Sequence, residues 1–72
     1  MISKDFMGEQ LYRLRKERGE TQVQVGAATG IGERHYQKFE AGDNFPNVEN
    51  LYALADHFEV SVDYLLGRTD ER

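Results

Sequence analysis

Apolar residues recur along this chain at the spacing of short helices. Met7, Leu11 and Leu14 fall at i, i+4 and i+7, and Glu9, Arg13, Lys16 and Glu17 occupy the polar face between them. Ser3 or Asp5 can cap the start of this first helix, and Gly19 fits its stop. Thr21 announces a second helix running to about Thr29, with a thin apolar face of Val25 and Ala28. Gly26 inside it costs about 1 kcal/mol relative to alanine. A third helix runs from Glu33 to about Glu40, with Tyr36 and Phe39 on one side and Gly42 after its end. A fourth follows Pro46 with Asn47 as its N-cap, and its stripe is Val48, Leu51, Leu54, Ala55 and Phe58. Ser61 then caps a short fifth helix, Val62 to Leu66, which ends at Gly67. No segment alternates convincingly as a strand would. The pattern predicts an all-α domain of five short helices joined by tight turns.

The chain length, 72 residues, allows one small domain whose core alone gives marginal stability. Dimerisation is a plausible staple. The absence of cysteine excludes disulfides and thiolate metal sites, and His35 and His57 stand apart, so no metal and no cofactor are expected. No apolar run has the length of a membrane span, and the N-terminus lacks the apolar core of a signal peptide, so a cytoplasmic protein with no membrane contact is expected. The net charge of −4 argues against an anionic partner until its distribution is considered. Residues 1–40 carry seven basic groups against six acidic ones; residues 41–72 carry two against seven. Only the first half can face an anionic partner.

The stretch Gly26-Ala27-Ala28-Thr29-Gly30-Ile31-Gly32 has the glycine content of a phosphate-cradling loop. It fails that test. A Walker loop needs glycines five apart followed by Lys and Ser or Thr, yet Ile31 stands five after Gly26. The dinucleotide pattern needs a preceding strand and a glycine where His35 stands. A bend between helices explains each position instead. Gly30 ends the second helix in a left-handed conformation, Ile31 plugs the gap, and Gly32 caps the third helix. Gly26 faces inward and lets the helices cross closely. Two helices so joined make a helix-turn-helix.

With that motif in place, "LYRLRKERGETQ", "GIGERHYQKFEAG" and "FPNVENLYALADHFEVSVDYLLG" together resemble the lambda-repressor/Cro-type helix-turn-helix family, also called the XRE family. The resemblance covers residues 6–67, leaving residues 1–5 as an N-terminal arm and 68–72 as a tail. The departures are Glu20, where the family is commonly apolar, Gly26 for Ala, and Thr29 for Leu. The loop after Gly42 reads "DNFPN" where the family is often basic, and Asp43 there repels phosphate. Because Ala is common at the position of Gly26, the resemblance implies that Gly26→Ala is tolerated or stabilising.

The resemblance implies a fold, a lambda-repressor-like domain, and a partner, double-stranded DNA with a palindromic operator. It places the third helix in the major groove with Glu33, Arg34, Gln37 and Lys38 toward the bases. Arg34 can give paired hydrogen bonds to guanine O6 and N7, Gln37 can pair with adenine, and Glu33 can accept from the cytosine amino group. The alternative for all four is a solvated polar helix face. Gln22, His35, Asn44 and Asn47 are candidates for phosphate contact, Gln22 with help from the N-terminus of the second helix. Gln22 is equally read as an ordinary first-turn residue, and Lys4 and Arg13 either add general attraction to DNA or are plain surface charges. Arg15 and Glu40 match a family ion pair between the first and third helices, a structural role. Tyr36 reads as a core aromatic with its hydroxyl at the edge, or as a thymine-methyl contact. His57 reads as a surface residue. Tyr64, Leu65 and Leu66 either line a homodimer interface or close the monomer's own core.

The functional expectation is a sequence-specific DNA-binding transcriptional regulator, with repression favoured and no small-molecule ligand expected. The alternative is a protein-interaction module such as an antitoxin, suggested by the acidic second half and Glu33. An enzyme is not expected, since no acid/base pair converges; Glu33 and His35 alone make no constellation.

Overall fold

The computed structural model describes residues 3–72 and places helices at α1 (Lys4–Glu17), α2 (Gln22–Thr29), α3 (Glu33–Ala41), α4 (Val48–Phe58) and α5 (Val62–Leu65), with no strand among the described residues. The starts follow from side-chain caps. Ser3 accepts from the Phe6 N–H at 3.0 Å, Asn47 from Asn50 N–H at 2.8 Å and Ser61 from Tyr64 N–H at 2.9 Å. Thr21 and Gln24 form a reciprocal capping box, at 3.1 and 2.8 Å. Asp5 is therefore inside the first turn of α1 rather than its cap. The segment read as an N-terminal arm is helical from Lys4 onward, and its first two residues lie outside the described ones.

The bend between α2 and α3 has the predicted geometry. Gly30 closes α2 at φ 76°, Ile31 is half-buried against the core, and Gly32 caps α3 at φ 95°. Gly32 N–H donates to the Gly26 carbonyl at 3.0 Å, which ties the bend back to α2. The approach at Gly26 is closer than the resemblance implied. A Cβ there would meet Glu33 N and Gly32 C at 2.7 Å and Glu33 Cα at 2.9 Å, all backbone atoms. The expectation that alanine is tolerated is corrected: something must move to admit a methyl.

α1 packs on α3, α2 on α3 and α4, and α5 closes the bundle against α4 and α1. The core joins Met7, Leu11, Leu14, Val25, Tyr36, Phe39, Leu51, Leu54, Ala55, Phe58, Val60 and Leu65. Three expectations fail here, and one left open is decided. Val48 is 68% exposed because the first residue of α4 projects past the bundle. Ala28 is exposed, and the buried face of α2 is Val25 with Gly26. His57 is half-buried, with its Nε2 2.9 Å from Glu20 Oε1. Leu65 is fully buried in the domain's own core, which removes it from any dimer interface; Tyr64 and Leu66 are half-buried against that core. Gln10 is buried too. It lies on the stripe of Met7 and Leu14, donates to the Tyr64 carbonyl at 3.0 Å and accepts from Arg13 at 2.7 Å.

Candidate nucleic-acid interface

α3 turns Tyr36 and Phe39 inward, three residues apart, and this fixes which side chains face out. Glu33, Arg34, His35, Gln37 and Lys38 are all exposed. Arg34 and Lys38, one turn apart, form a ridge with a shallow depression on each side. Gln37, Ala41 and Asp43 border one depression; Ile31, Gly32, Glu33 and His35 border the other. The four candidate base-facing residues thus share one surface. Gln37 Nε2 donates to Glu33 Oε2 at 3.3 Å, a long and exposed contact that is easily exchanged for another partner. The His35 ring lies 4.7 Å from that of Phe39.

The charge of this surface is balanced, Arg34 and Lys38 against Glu33 and Asp43. The N-terminus of α2 is the other feature of this side of the domain that can meet an anion. The sequence of α2, QVQVGAAT, holds no charged residue. The N-cap engages the Gln24 and Val25 N–H groups, leaving those of Gln22 and Val23 in the first turn for solvent or an anion. The Gln22 side chain is less free than the sequence suggests. It is half-buried, and its Nε2 donates to Glu40 Oε1 at 3.2 Å. The Asn47 side-chain oxygen is committed to capping α4, and Asn44 is half-buried, its N–H directed at the Lys38 carbonyl at 3.4 Å. These candidates border the α3 surface but do not join it in one cluster.

Behind the surface lies a nearly buried ion pair. Arg15 Nε and Nη2 donate to Glu40 Oε2 and Oε1 at 2.6 and 3.1 Å, and Arg15 Nη1 donates to the Glu20 carbonyl at 2.9 Å. The side chains are 12% and 6% exposed. The hydrogen bond to Glu40 holds the Arg15 pKa above its ordinary value. Tyr36 is wholly buried, which excludes a thymine contact, and its hydroxyl is buried rather than at the edge. Burial, and then the nearby Glu40 carboxylate, push its pKa well above the usual tyrosine range. That environment was not foreseeable from local sequence, because Arg15 comes from α1 and only the fold brings it to Glu40 and Tyr36 on α3.

Geometrically, α3 has an outer face that carries donors and acceptors suited to base edges, and a helix of about 10–12 Å diameter fits a major groove about 12 Å wide. Among the described residues, no group of three or more His, Cys, Asp or Glu is placed to hold a metal ion, and no helix is long and apolar enough to cross a membrane.

Comparison with known proteins agrees with this geometry. The family model HTH_3, described as helix-turn-helix, matches residues 11–65. The transcriptional repressor RstR of the cryptic phage CTXphi in Vibrio cholerae is 43% identical over 65 residues, covering 88% of this chain and 58% of its own. The uncharacterised HTH-type transcriptional regulator y4dJ of Sinorhizobium fredii is 37% identical over 71 residues, covering 99% and 92%. The chain thus spans little more than half of some curated relatives and nearly all of another. The P22 c2 repressor, solved with a synthetic operator, superposes with a TM-score of 0.80 at 35% identity, covering 83% of this chain and 91% of that one.

Proposed function

The chain belongs to the helix-turn-helix family, and from that premise we propose that it is a sequence-specific double-stranded DNA-binding transcriptional regulator acting as a repressor. The family is a class of DNA-binding regulators, not of enzymes. The observation that carries the reading is the outer face of α3, where Arg34 and Lys38 form a ridge flanked by Glu33 and Gln37. Arg34 reads guanine, Gln37 reads adenine once released from Glu33, and Lys38 adds phosphate or base contact. Gln22 and the free N–H groups of the first turn of α2 hold a phosphate, with Asn44, Asn47 and His35 at the margins. The protein works where prokaryotic DNA lies, in the cytoplasm.

Two copies on a palindromic operator place their α3 helices about 34 Å apart, one DNA turn. Tyr64 and Leu66, half-buried at the end of the bundle, support a homodimer contact there. Gel shifts with genomic fragments at low salt test the proposal. The parent protein retards a subset of fragments, and Arg34→Ala abolishes that preference. Retardation of no fragment refutes the reading. One observation favours the alternative, a protein-interaction module: Val48 and Tyr52 are 68% and 59% exposed on α4, next to Glu49. That reading predicts no DNA retention even at the lowest salt, where a DNA binder is strongest.

A further inference from the structure

After α5 the chain doubles back along it. Gly67 makes the turn at φ 76°, against the Phe6 ring. Arg72 returns to the start of the helix, where its main-chain oxygen accepts from the Ser61 N–H at 2.8 Å. The Arg72 side chain lies over Tyr64: its guanidinium carbon stands 5.3 Å from the ring centroid, within cation–π range. Glu17 at the end of α1 holds the same guanidinium from its other side, accepting from Nη1 at 2.8 Å and from Nη2 at 2.7 Å. Hydrogen bonds to Glu17, and then to Tyr64, hold the Arg72 pKa above its ordinary value.

The contacts that fasten this strap are polar and open to solvent. Among residues 67–72 none is buried and only Thr69 is half-buried. The Arg72 and Glu17 side chains are 47% and 42% exposed. An exposed ion pair and an exposed cation–π contact are each weak, and no strap residue belongs to the core. The strap can therefore lift while the bundle stays closed. The ring under it is the one that the homodimer reading sets against a second copy. A two-fold contact places the same patch on both sides, Tyr64 and Leu66 against Tyr64 and Leu66. A second copy reaches the covered face of Tyr64 only by displacing Arg72. We propose that residues 67–72 are a strap that masks Tyr64, so that two copies associate through that ring only after Arg72 leaves Glu17. The inference rests on the homodimer reading and adds a control to it: each copy breaks one Arg72–Glu17 pair as the dimer forms.

Sedimentation equilibrium on the parent, Glu17→Gln, Arg72→Gln and the double variant tests it, with melts to check that each is folded. Both residues are exposed, so Tm changes little. Two straps open per dimer, so a roughly two- to three-fold loss of closure in each tightens the dimer constant roughly 4- to 10-fold. The double variant associates no more tightly than the singles, because both remove the same contact. The two singles change the net charge in opposite directions. A dimer constant that moves in opposite directions is therefore a general charge effect and overturns the proposal. Unchanged or weaker association in both singles also overturns it and leaves the homodimer reading standing. Tyr64→Gln and Leu66→Gln, placed separately in the Glu17→Gln background, return the protein to monomer. A dimer that survives both in folded protein puts the contact elsewhere, and self-association by no variant removes the dimer altogether; either result overturns the homodimer reading and the strap with it.

Discussion

Replacing Gly26 by alanine tests the packing on which the α3 surface depends. The substitution has two favourable terms: about 1 kcal/mol of helix propensity and about 0.8 kcal/mol for a buried methyl. Against them stands a Cβ at 2.7 Å from Gly32 C and Glu33 N, and at 2.9 Å from Glu33 Cα. Unstrained carbon contacts lie at about 3.5–4.0 Å, so the first turn of α3 must retreat by roughly 0.8 Å. These neighbours are backbone and no rotamer change relieves them. Overpacking of this kind costs about 1–3 kcal/mol. The retreat also strains the 3.0 Å hydrogen bond from Gly32 to the Gly26 carbonyl, worth about 1 kcal/mol. The balance is a destabilisation of about 1 kcal/mol, a fall in Tm of roughly 4–8 °C for a domain of this size. Calorimetric or circular-dichroism melts measure it. Gly30→Ala is the control. It stands at φ 76° with open space around it, so it pays a left-handed penalty of about 1–2 kcal/mol without pushing on α3. Both variants lose stability, but only Gly26→Ala also loses DNA affinity below its melting range. A Gly26→Ala protein that melts at or above the parent refutes the argument.

Arg15→Ala leaves Glu40 buried and unpaired and costs about 3–5 kcal/mol, most of the stability of so small a domain; urea titration reads the loss, and pairing Arg15→Met with Glu40→Leu recovers most of it. Asp43→Asn removes an acidic group beside Arg34 and Lys38, so it tightens DNA binding several-fold at low salt, with the gain fading as salt rises. Its Tm stays close to the parent's, because the loop is held there by the Asp43 N–H to the Lys38 carbonyl, which the change leaves intact.

What local sequence encodes was legible. Met7, Leu11 and Leu14, and again Leu51, Leu54, Ala55 and Phe58, are buried as their spacing predicts. Ser3, Thr21, Asn47 and Ser61 all cap helices, and Gly30 takes the left-handed conformation assigned to it. The misreadings share a cause, in that each depends on a partner distant in sequence or on how close two backbones come. His57 is drawn inward by Glu20, 37 residues away, and Gln22 by Glu40, 18 residues away. Arg72, read only as part of a tail, forms a two-pronged pair with Glu17 at 2.7 and 2.8 Å, 55 residues away. Val48 obeyed the stripe, but periodicity is blind to where a helix leaves the bundle. Leu65 was left between two roles because a one-turn helix gives no periodicity to decide between them.

Close backbone contacts also let α3 serve as a reading head. Gly26 lies against its first residue, and Gly8, in the middle of α1, lies against its last turn. A Cβ on Gly8 would collide with the carbonyl oxygen of Glu40 and reach that of Phe39 at 3.0 Å. Each glycine costs its helix about 1 kcal/mol, a cost that makes sense only if the close approach returns more. α3 is thus fixed at both ends by backbone-to-backbone contact, along its inner side by Tyr36 and Phe39, and near its C-terminal end by the Arg15–Glu40 pair. None of these restraints uses the side chain of Glu33, Arg34, Gln37 or Lys38. The outward residues are therefore free to set sequence preference while the helix keeps its position, which separates recognition from folding in a domain with little stability to spare.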